Sequence, residues 1–113
     1  RAFVPTGRGG EKRTYAYPNL FSPMRQNQIG GDGYVRFQYN TRAAARVTVK
    51  VFDFAMELVA TVIDGEYRTG PAECAELWNG RNDYGDLVAN GAYFYSLEIE
   101  GDGTYWGKVL IIN

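Results

Sequence analysis

Histidine is missing from this sequence of 113 residues, and cysteine occurs once, at Cys74. Histidine is the commonest general base and the commonest metal ligand in proteins, so its absence removes most familiar catalytic and metal-binding arrangements. A single cysteine cannot form a disulfide within the chain. We therefore expect a protein that is not an enzyme, with no catalytic residue, no cofactor and no metal.

Other features are also missing. No run of 18 apolar residues occurs, so we expect no membrane insertion. The glycine-rich stretches 7–10 and 30–33 are not followed by the Lys-Ser/Thr pair of a phosphate-binding loop. The net charge is only −1, which gives no general reason to expect nucleic acid as a partner.

The charges are nevertheless unevenly distributed along the chain. Residues 1–50 contain nine Lys/Arg and two acidic residues, whereas residues 51–113 contain three Lys/Arg and eleven acidic residues. Such an uneven distribution of charge would favour head-to-tail contact between copies. If strands from both halves intermix in the fold, however, the charges average out over the surface.

Apolar and polar residues alternate with a period of two over much of the chain, which predicts half-buried β-strands. Val35, Phe37 and Tyr39 are expected on one face of a strand, and Val47, Val49 and Val51 on one face of the next. Further strands are predicted at residues 57–63, 73–78, 92–100 and 105–112. The tight connections 53–56 and 101–103 predict two hairpins, and residues 65–71 are predicted to be a turn. This pattern favours a two-sheet sandwich.

The last strand, Trp106 to Ile112, is apolar on both faces. An exposed edge of this kind is prone to aggregation. We expect its own sheet to cover it, and another molecule is the alternative.

Residues 1–14 have a different composition, with three glycines, one proline and four of the twelve basic residues. We predict that they form a flexible or partner-docking N-terminal arm, and that residues 15–113 form the domain. A linker without a binding role is an equally good interpretation. The candidate contact residues of the arm are Phe3, Val4, Arg8, Lys12 and Arg13.

Two segments carry a family resemblance. Residues 17–23 read YPNLFSP, and residues 78–95 read WNGRNDYGDLVANGAYFY. Both resemble the immunoglobulin-like domain of the flagellar hook-capping family, which is similar in turn to C-terminal sorting domains of secreted bacterial surface proteins. The resemblance covers about residues 15–113 and implies an all-β fold, an immunoglobulin/fibronectin-like antiparallel β-sandwich of about seven strands. Leu20 occupies the position at which the family pattern has a second proline. The N-terminal arm is not part of the family pattern.

The residues of these motifs have physical roles that need no chemistry. Prolines fix the entry of the chain, Trp78 seals one end of the core, glycines permit turns, and Asn side chains bond the backbone of those turns. The predicted structural motif comprises Pro18, Asn19, Phe21, Pro23, Trp78, Asn79, Gly80, Arg81, Asn82, Gly85, Gly91 and Tyr93. The alternative for the loop is a calcium site at Asn82, Asp83 and Asp86, although their spacing does not match the twelve-residue calcium loop.

Three other candidates have simpler interpretations. Cys74 is expected to be a small half-buried residue, and the Glu98 and Glu100 pair is expected to face solvent rather than act as a glycosidase dyad. The nine tyrosines and Trp106 suggest a carbohydrate-binding face if they form an exposed flat row.

These observations predict a non-enzymatic structural or assembly module that is extracellular or at the bacterial cell surface. In one version, it is a self-associating subunit of a filament or tube that uses its arm and sheet edges to contact other copies. In a second version, it is a C-terminal sorting or anchoring domain of a larger secreted protein, recognised by secretion or anchoring machinery. The third possibility is a carbohydrate-binding module.

Overall fold

The computed structural model describes residues 14–17, 20–21 and 34–112, and these residues form eight β-strands. None of them forms a helix that is long and apolar enough to cross a membrane. The strands are β1 (Thr14–Tyr17), β2 (Leu20–Phe21), β3 (Val35–Thr41), β4 (Ala45–Phe52), β5 (Leu58–Arg68), β6 (Ala72–Trp78), β7 (Gly91–Ile99) and β8 (Gly103–Ile111).

Two sheets form a sandwich. Sheet A has the order β1-β3-β6, and sheet B has the order β2-β8-β7-β4-β5. Every pairing is antiparallel except that of β2 with β8, which is parallel at Leu20↔Leu110 and Phe21↔Ile111. The first two strands therefore pair with different sheets, β1 with sheet A and β2 with sheet B. The predicted antiparallel β-sandwich is confirmed.

The core lies between the inward faces that the alternation predicted. The alternating residues of β3, β4 and β7 are all buried, and both predicted hairpins are present. In the first hairpin, Asp53 accepts backbone and side-chain hydrogen bonds from the residues that follow it. The core residues on these three strands are Val35, Phe37, Tyr39, Val47, Val49, Val51, Tyr93, Tyr95, Leu97 and Ile99.

The turn predicted at residues 65–71 is wrong in its first half, because β5 continues to Arg68. Pairing with β4 extends to Ala45↔Arg68 and passes an irregularity between Val47 and Val49. Gly65 lies at this irregularity with φ 69°, and its N–H donates to Thr48 Oγ1 at 2.9 Å. The glycine therefore permits a bulge inside the strand rather than ending it.

Tyr95 occupies the centre of the sandwich. Its ring stacks on Phe37 of sheet A with 4.2 Å between ring centroids, and it lies over Gly107, its partner in the β7–β8 register. Its hydroxyl is 2.9 Å from Thr14 Oγ1, which donates to the Gln38 carbonyl at 2.7 Å. Because Thr14 has one hydroxyl proton, Tyr95 is the donor in their bond. One side chain thus connects β7, β8, β3 and β1.

Thr14 is the last residue of the predicted N-terminal arm. In the fold it is the first residue of β1 and is almost fully buried.

A second polar contact joins the two sheets through their edge strands, β5 and β6. Arg68 of β5 forms a bidentate ion pair with Glu76 of β6, at 2.9 Å for both N···O distances. Tyr39 of β3 donates its hydroxyl to the same carboxylate at 2.5 Å. Glu76 is buried, and two partners bind its carboxylate, as a buried charge requires.

The contact between Tyr95 and Gly107 predicts the effect of Gly107→Ala. A Cβ at this position would overlap the Tyr95 ring, so the substitution should lower the free energy of unfolding by about 1–3 kcal/mol, as overpacking does. Urea unfolding measures the loss. Thr104→Ala, at an exposed position of the same strand, is the control and should change stability by less than about 1 kcal/mol. Equal effects of the two variants would contradict the packing argument.

Buried tyrosines also predict a loss of stability at alkaline pH. Desolvation by burial raises the pKa of Tyr95 and of Tyr39 above the ordinary value of 10.0, and the bond to Glu76 raises that of Tyr39 further. Above about pH 10 the unfolded chain releases protons that the folded chain keeps, so stability is full below this pH and falls as pH rises.

Urea unfolding between pH 9 and 11 tests this expectation. Tyr95→Phe should make the decline less steep, by up to about 1.4 kcal/mol per pH unit. Tyr84→Phe, which alters a ring that is 91% exposed, should leave the decline unchanged. A decline of the same steepness in both variants would show that Tyr95 does not contribute.

Candidate interaction surface

The motif loop, residues 79–90, connects β6 to β7 and is held by the buried side chain of Trp78. The indole packs between Phe37 and Tyr93, with 6.2 Å to each ring centroid. Its Nε1–H donates to the Arg81 carbonyl at 2.9 Å. The tryptophan therefore joins one end of the core to the backbone of the loop.

Asparagine side chains hold the shape of the loop. Asn82 Oδ1 accepts hydrogen bonds from the backbone N–H groups of Tyr84 at 2.9 Å and Asp86 at 3.0 Å. Asn79 Oδ1 accepts from the Arg81 N–H at 3.1 Å. These are the side-chain to backbone bonds that Asn commonly makes in turns. The oxygens proposed as calcium ligands include Asn82 Oδ1, and here that oxygen binds the backbone.

Two glycines give the loop its curvature. Gly80 and Gly85 have φ values of 76° and 91°, in the region that disfavours other residues. The Gly80 carbonyl accepts from the Val88 N–H at 3.0 Å, and the Gly85 carbonyl accepts from the Arg81 guanidinium at 2.9 Å. Tyr93, at the start of β7, donates its hydroxyl to the Ala89 carbonyl at 2.7 Å and so fixes the end of the loop.

One contact of the loop was not predicted from the sequence. Asp83 binds β5 as a neighbouring strand would: its N–H donates to the Val59 carbonyl at 3.1 Å, and its Oδ1 accepts from the Thr61 N–H at 3.0 Å. Since β5 is an edge strand of sheet B, the loop covers part of that edge. Asp83 is 22 residues from Thr61, and no local pattern signals this pairing.

The comparisons with known proteins agree with this geometry. Residues 24–103 match the family model described as the FlgD Ig-like domain. The chain belongs to this family. The resemblance stated from the sequence is therefore confirmed, and it places the protein in a family of structural modules.

A solved structure of FlgD from P. aeruginosa superimposes with a TM-score of 0.57 and covers 88% of this chain and 67% of that chain. The two sequences are 15% identical, so this likeness concerns the fold. No curated protein matches the sequence.

The structure brings together most of the predicted motif. Eight of its residues lie in the loop or at the strand ends beside it: Trp78, Asn79, Gly80, Arg81, Asn82, Gly85, Gly91 and Tyr93. Phe21 lies in β2, where it pairs with Ile111 of β8. The remaining motif residues and the arm contacts lie outside the described residues; they are Pro18, Asn19, Pro23, Phe3, Val4, Arg8, Lys12 and Arg13.

The outward face of sheet B exposes large apolar side chains, which we call the outer patch. Phe54 is 77% exposed, Ile112 47%, Trp106 40% and Leu110 38%. The rings of Phe52 and Phe94, which are partly buried, extend the patch. The prediction that its own sheet covers the last strand is therefore met on the inward face, where Val109 and Ile111 are buried, but not on the outward face.

The aromatic rings of the outer patch are not coplanar. Trp106 lies 5.5 Å from Phe52 with 44° between the ring planes, and Phe54 lies 6.3 Å from Phe94 with 29° between them. A sugar ring stacks on a flat aromatic face, and these neighbouring rings do not form the flat row that the carbohydrate interpretation requires.

The edge of β8 differs from that of β5. Among the described strands, β7 pairs with β8 along its whole length, and β2 pairs with the other side only at Leu110 and Ile111. The strand β1 of sheet A also lies beside β8. The β7–β8 hairpin carries three acidic residues, Glu98, Glu100 and Asp102, which line an open depression of about 490 Å³.

Asn82→Ala tests the structural role of the motif loop. The variant leaves two backbone N–H groups without their acceptor, so the free energy of unfolding should fall by about 1–2 kcal/mol. Tyr84→Ala, in the same loop and fully exposed, should change it by less than about 0.5 kcal/mol. The measurement is urea unfolding of the three chains. A neutral Asn82→Ala would contradict the assigned role.

Proposed function

We propose that this protein is a non-enzymatic structural module that assembles with other copies of itself outside the cell or at the bacterial cell surface. Self-association through the arm and the sheet edges would build a filament or tube. Membership of the FlgD Ig-like domain family supports a structural role, because the family takes its name from a hook-capping protein.

The observation that carries this proposal is the exposure of the outer patch. Trp106 and Leu110 lie on the outward face of the last strand with Lys108 between them, and Ile112 directly follows the strand. Phe54 adds a ring that is 77% exposed. Solvated apolar surface of this kind is typical of protein contact sites. A contact with another copy would bury it.

The motif loop supports the non-enzymatic part of the proposal. Its polar side chains, Asn79, Asn82 and Asp83, bind backbone groups of the loop and of β5. The loop is thereby a scaffold that fixes the end of the core and covers one sheet edge. Contacts between copies would then use the rest of the surface.

The charge distribution favours contact between different regions of two copies. Residues 1–13 contain four basic residues and one acidic residue, a net charge of +3. The β7–β8 hairpin contains Glu98, Glu100 and Asp102. Opposite charges on two distinct regions favour a head-to-tail contact, which can continue from copy to copy as an open polymer.

Removal of residues 1–13 tests the proposal. Thr14 is kept because its side chain is buried and binds Tyr95, so the shortened chain should fold with its circular dichroism unchanged. The unmodified chain should sediment as polymers and form filaments or tubes in electron micrographs, whereas the shortened chain should sediment as a monomer.

A second variant separates length from chemistry. Phe3→Ser together with Val4→Ser keeps every charge and every residue of the arm but removes its apolar anchors, and it should also reduce polymer formation. If the unmodified chain remained monomeric at all concentrations, or if the shortened chain polymerised equally well, arm-dependent assembly would be refuted.

A further inference from the structure

We infer that Tyr84 of the motif loop docks on the outer patch of a second copy, with the carboxylate of Asp86 beside Lys108 of that copy. This inference rests on the proposed function and identifies one contact through which the copies would join. We call Tyr84 and Asp86 together the knob. The knob and the outer patch consist of described residues.

The side chains of the knob are not used by the scaffold of the motif loop. The ring of Tyr84 is 91% exposed, more than any other large apolar side chain in the described part of the chain. The Tyr84 hydroxyl and the Asp86 carboxylate form no hydrogen bond or ion pair with a described residue. Tyrosine is one of the residues that most often dominate the energy of protein contacts. The knob is therefore available to a partner.

Backbone bonds hold the knob in place. Asn82 Oδ1 accepts from the N–H groups of Tyr84 and Asp86, and the Asn82 carbonyl accepts from the Gly85 N–H at 2.9 Å. The Asn82 N–H in turn donates to the Asp86 carbonyl at 2.8 Å. These bonds close residues 82–86 into a fixed turn. A side chain on a fixed backbone loses little conformational freedom on binding, which favours affinity.

The outer patch contains two lysines without a partner. Lys50 and Lys108 lie on either side of β7 on the outward face, because Lys50 pairs with Ser96 and Lys108 pairs with Phe94. Both side chains are half-buried, and neither ammonium group forms an ion pair or hydrogen bond with a described residue. A carboxylate that approached one of them would gain a charge-assisted hydrogen bond.

Glu98 decides which lysine receives Asp86. On the outward face of β7, the order is Phe94, Ser96 and Glu98. Lys50 lies opposite Ser96, next to Glu98, whereas Lys108 lies opposite Phe94, two residues further from this acid. Like charges on neighbouring positions of a sheet are unfavourable, so Asp86 would approach beside Lys108.

The rings of the outer patch suit a tyrosine. Trp106 lies 5.5 Å from Phe52 with 44° between the ring planes, and its indole is still 40% exposed. Aromatic pairs favour offset and edge-to-face arrangements over a flat sandwich. A tyrosine ring can therefore pack on tilted rings, although a sugar requires a flat face. Burial of the exposed part of Trp106 would add to the contact.

The knob and the outer patch of one molecule lie apart. The motif loop is at the β5 edge of sheet B, where Asp83 binds Thr61, whereas Trp106 lies on β8, three strands from β5. The exposure of Tyr84 agrees with this separation. Because the chain itself supplies an acidic aromatic knob and a basic aromatic patch, a second copy is the occupant that we infer. Contact between two different regions leaves a knob and a patch unused at the two ends, so assembly can continue as an open polymer.

Tyr84→Ala in the full chain tests the knob. The concentration needed for polymer formation, measured by sedimentation, should rise by about tenfold or more, as expected for loss of a central aromatic contact. The variant should stay folded, because the ring is almost fully exposed. Tyr67→Ala removes another tyrosine, 58% exposed on β5, and should leave this concentration unchanged. An unaffected Tyr84→Ala polymer would overturn the inference.

An exchange of charges tests the pair of Asp86 with Lys108. Asp86→Lys and Lys108→Glu should each weaken polymer formation, because each places like charges at the contact. The chain that carries both substitutions restores opposite charges and should recover most of the lost assembly. Circular dichroism of the three variants checks that they are folded. Failure of the double variant to improve on the single ones would show that these two groups do not meet.

Photo-cross-linking locates the acceptor directly. Tyr84 is replaced by p-benzoylphenylalanine in one preparation, which is mixed with ¹⁵N-labelled unmodified chain before assembly. After illumination, mass spectrometry should find cross-links to the outward residues of β4, β7 and β8 of the labelled chain. The same probe at Tyr67 should not label them. Cross-links to other strands, or none between copies, would assign the outer patch to a different partner and overturn the inference.

The two proposals fail in different ways. If the unmodified chain does not self-associate in sedimentation, the proposed function fails. If it does form polymers but the knob variants and the cross-links contradict the outer patch, the proposed function stands and another contact joins the copies.

Discussion

The sandwich depends on the contact of Tyr95 with Gly107 and Phe37. The ring fills the space between the sheets because β8 has no side chain at Gly107, and it approaches Phe37 to 4.2 Å. A shift of the β7–β8 register by one residue would put a side chain of β8 under this ring, so the contact fixes the register as well as the spacing of the sheets. The hydroxyl extends the same constraint to Thr14 and so ties β1, which pairs with β3, to sheet B.

Aromatic contacts carry this constraint to the end of the molecule. Phe37 touches Trp78, and Trp78 touches Tyr93, so a row of rings runs from the centre of the core to the motif loop. The loop is in turn bonded to β5 through Asp83. Packing at the centre and protection of one sheet edge are therefore parts of one connected arrangement, and the polar residues of the motif serve that arrangement.

The sequence predicted the parts of the fold in which one strand face is buried. The strands β3, β4 and β7 alternate because their inward residues meet the other sheet, and period two follows directly from that burial. The course of β5 was harder to predict, since its pairing with β4 shifts register and Gly65 resembles a turn residue. The contacts of Arg68 with Glu76 and of Asp83 with Thr61 join residues that are distant in sequence or on different sheets, and such pairs leave no local pattern. Because β8 is apolar on both faces, its sequence does not indicate which face is exposed.

The core constrains the two faces of β8 very differently. Its inward positions include Gly107, Val109 and Ile111, which Tyr95 and the rest of the core require. Its outward positions carry no such requirement: Thr104 is polar, Lys108 is charged, and both are compatible with the fold. Trp106 packs on Phe52, which accounts for part of its ring, while the rest of the indole and Leu110 remain exposed. The core does not require this exposed apolar surface, and the proposed function gives it a role as a protein contact site.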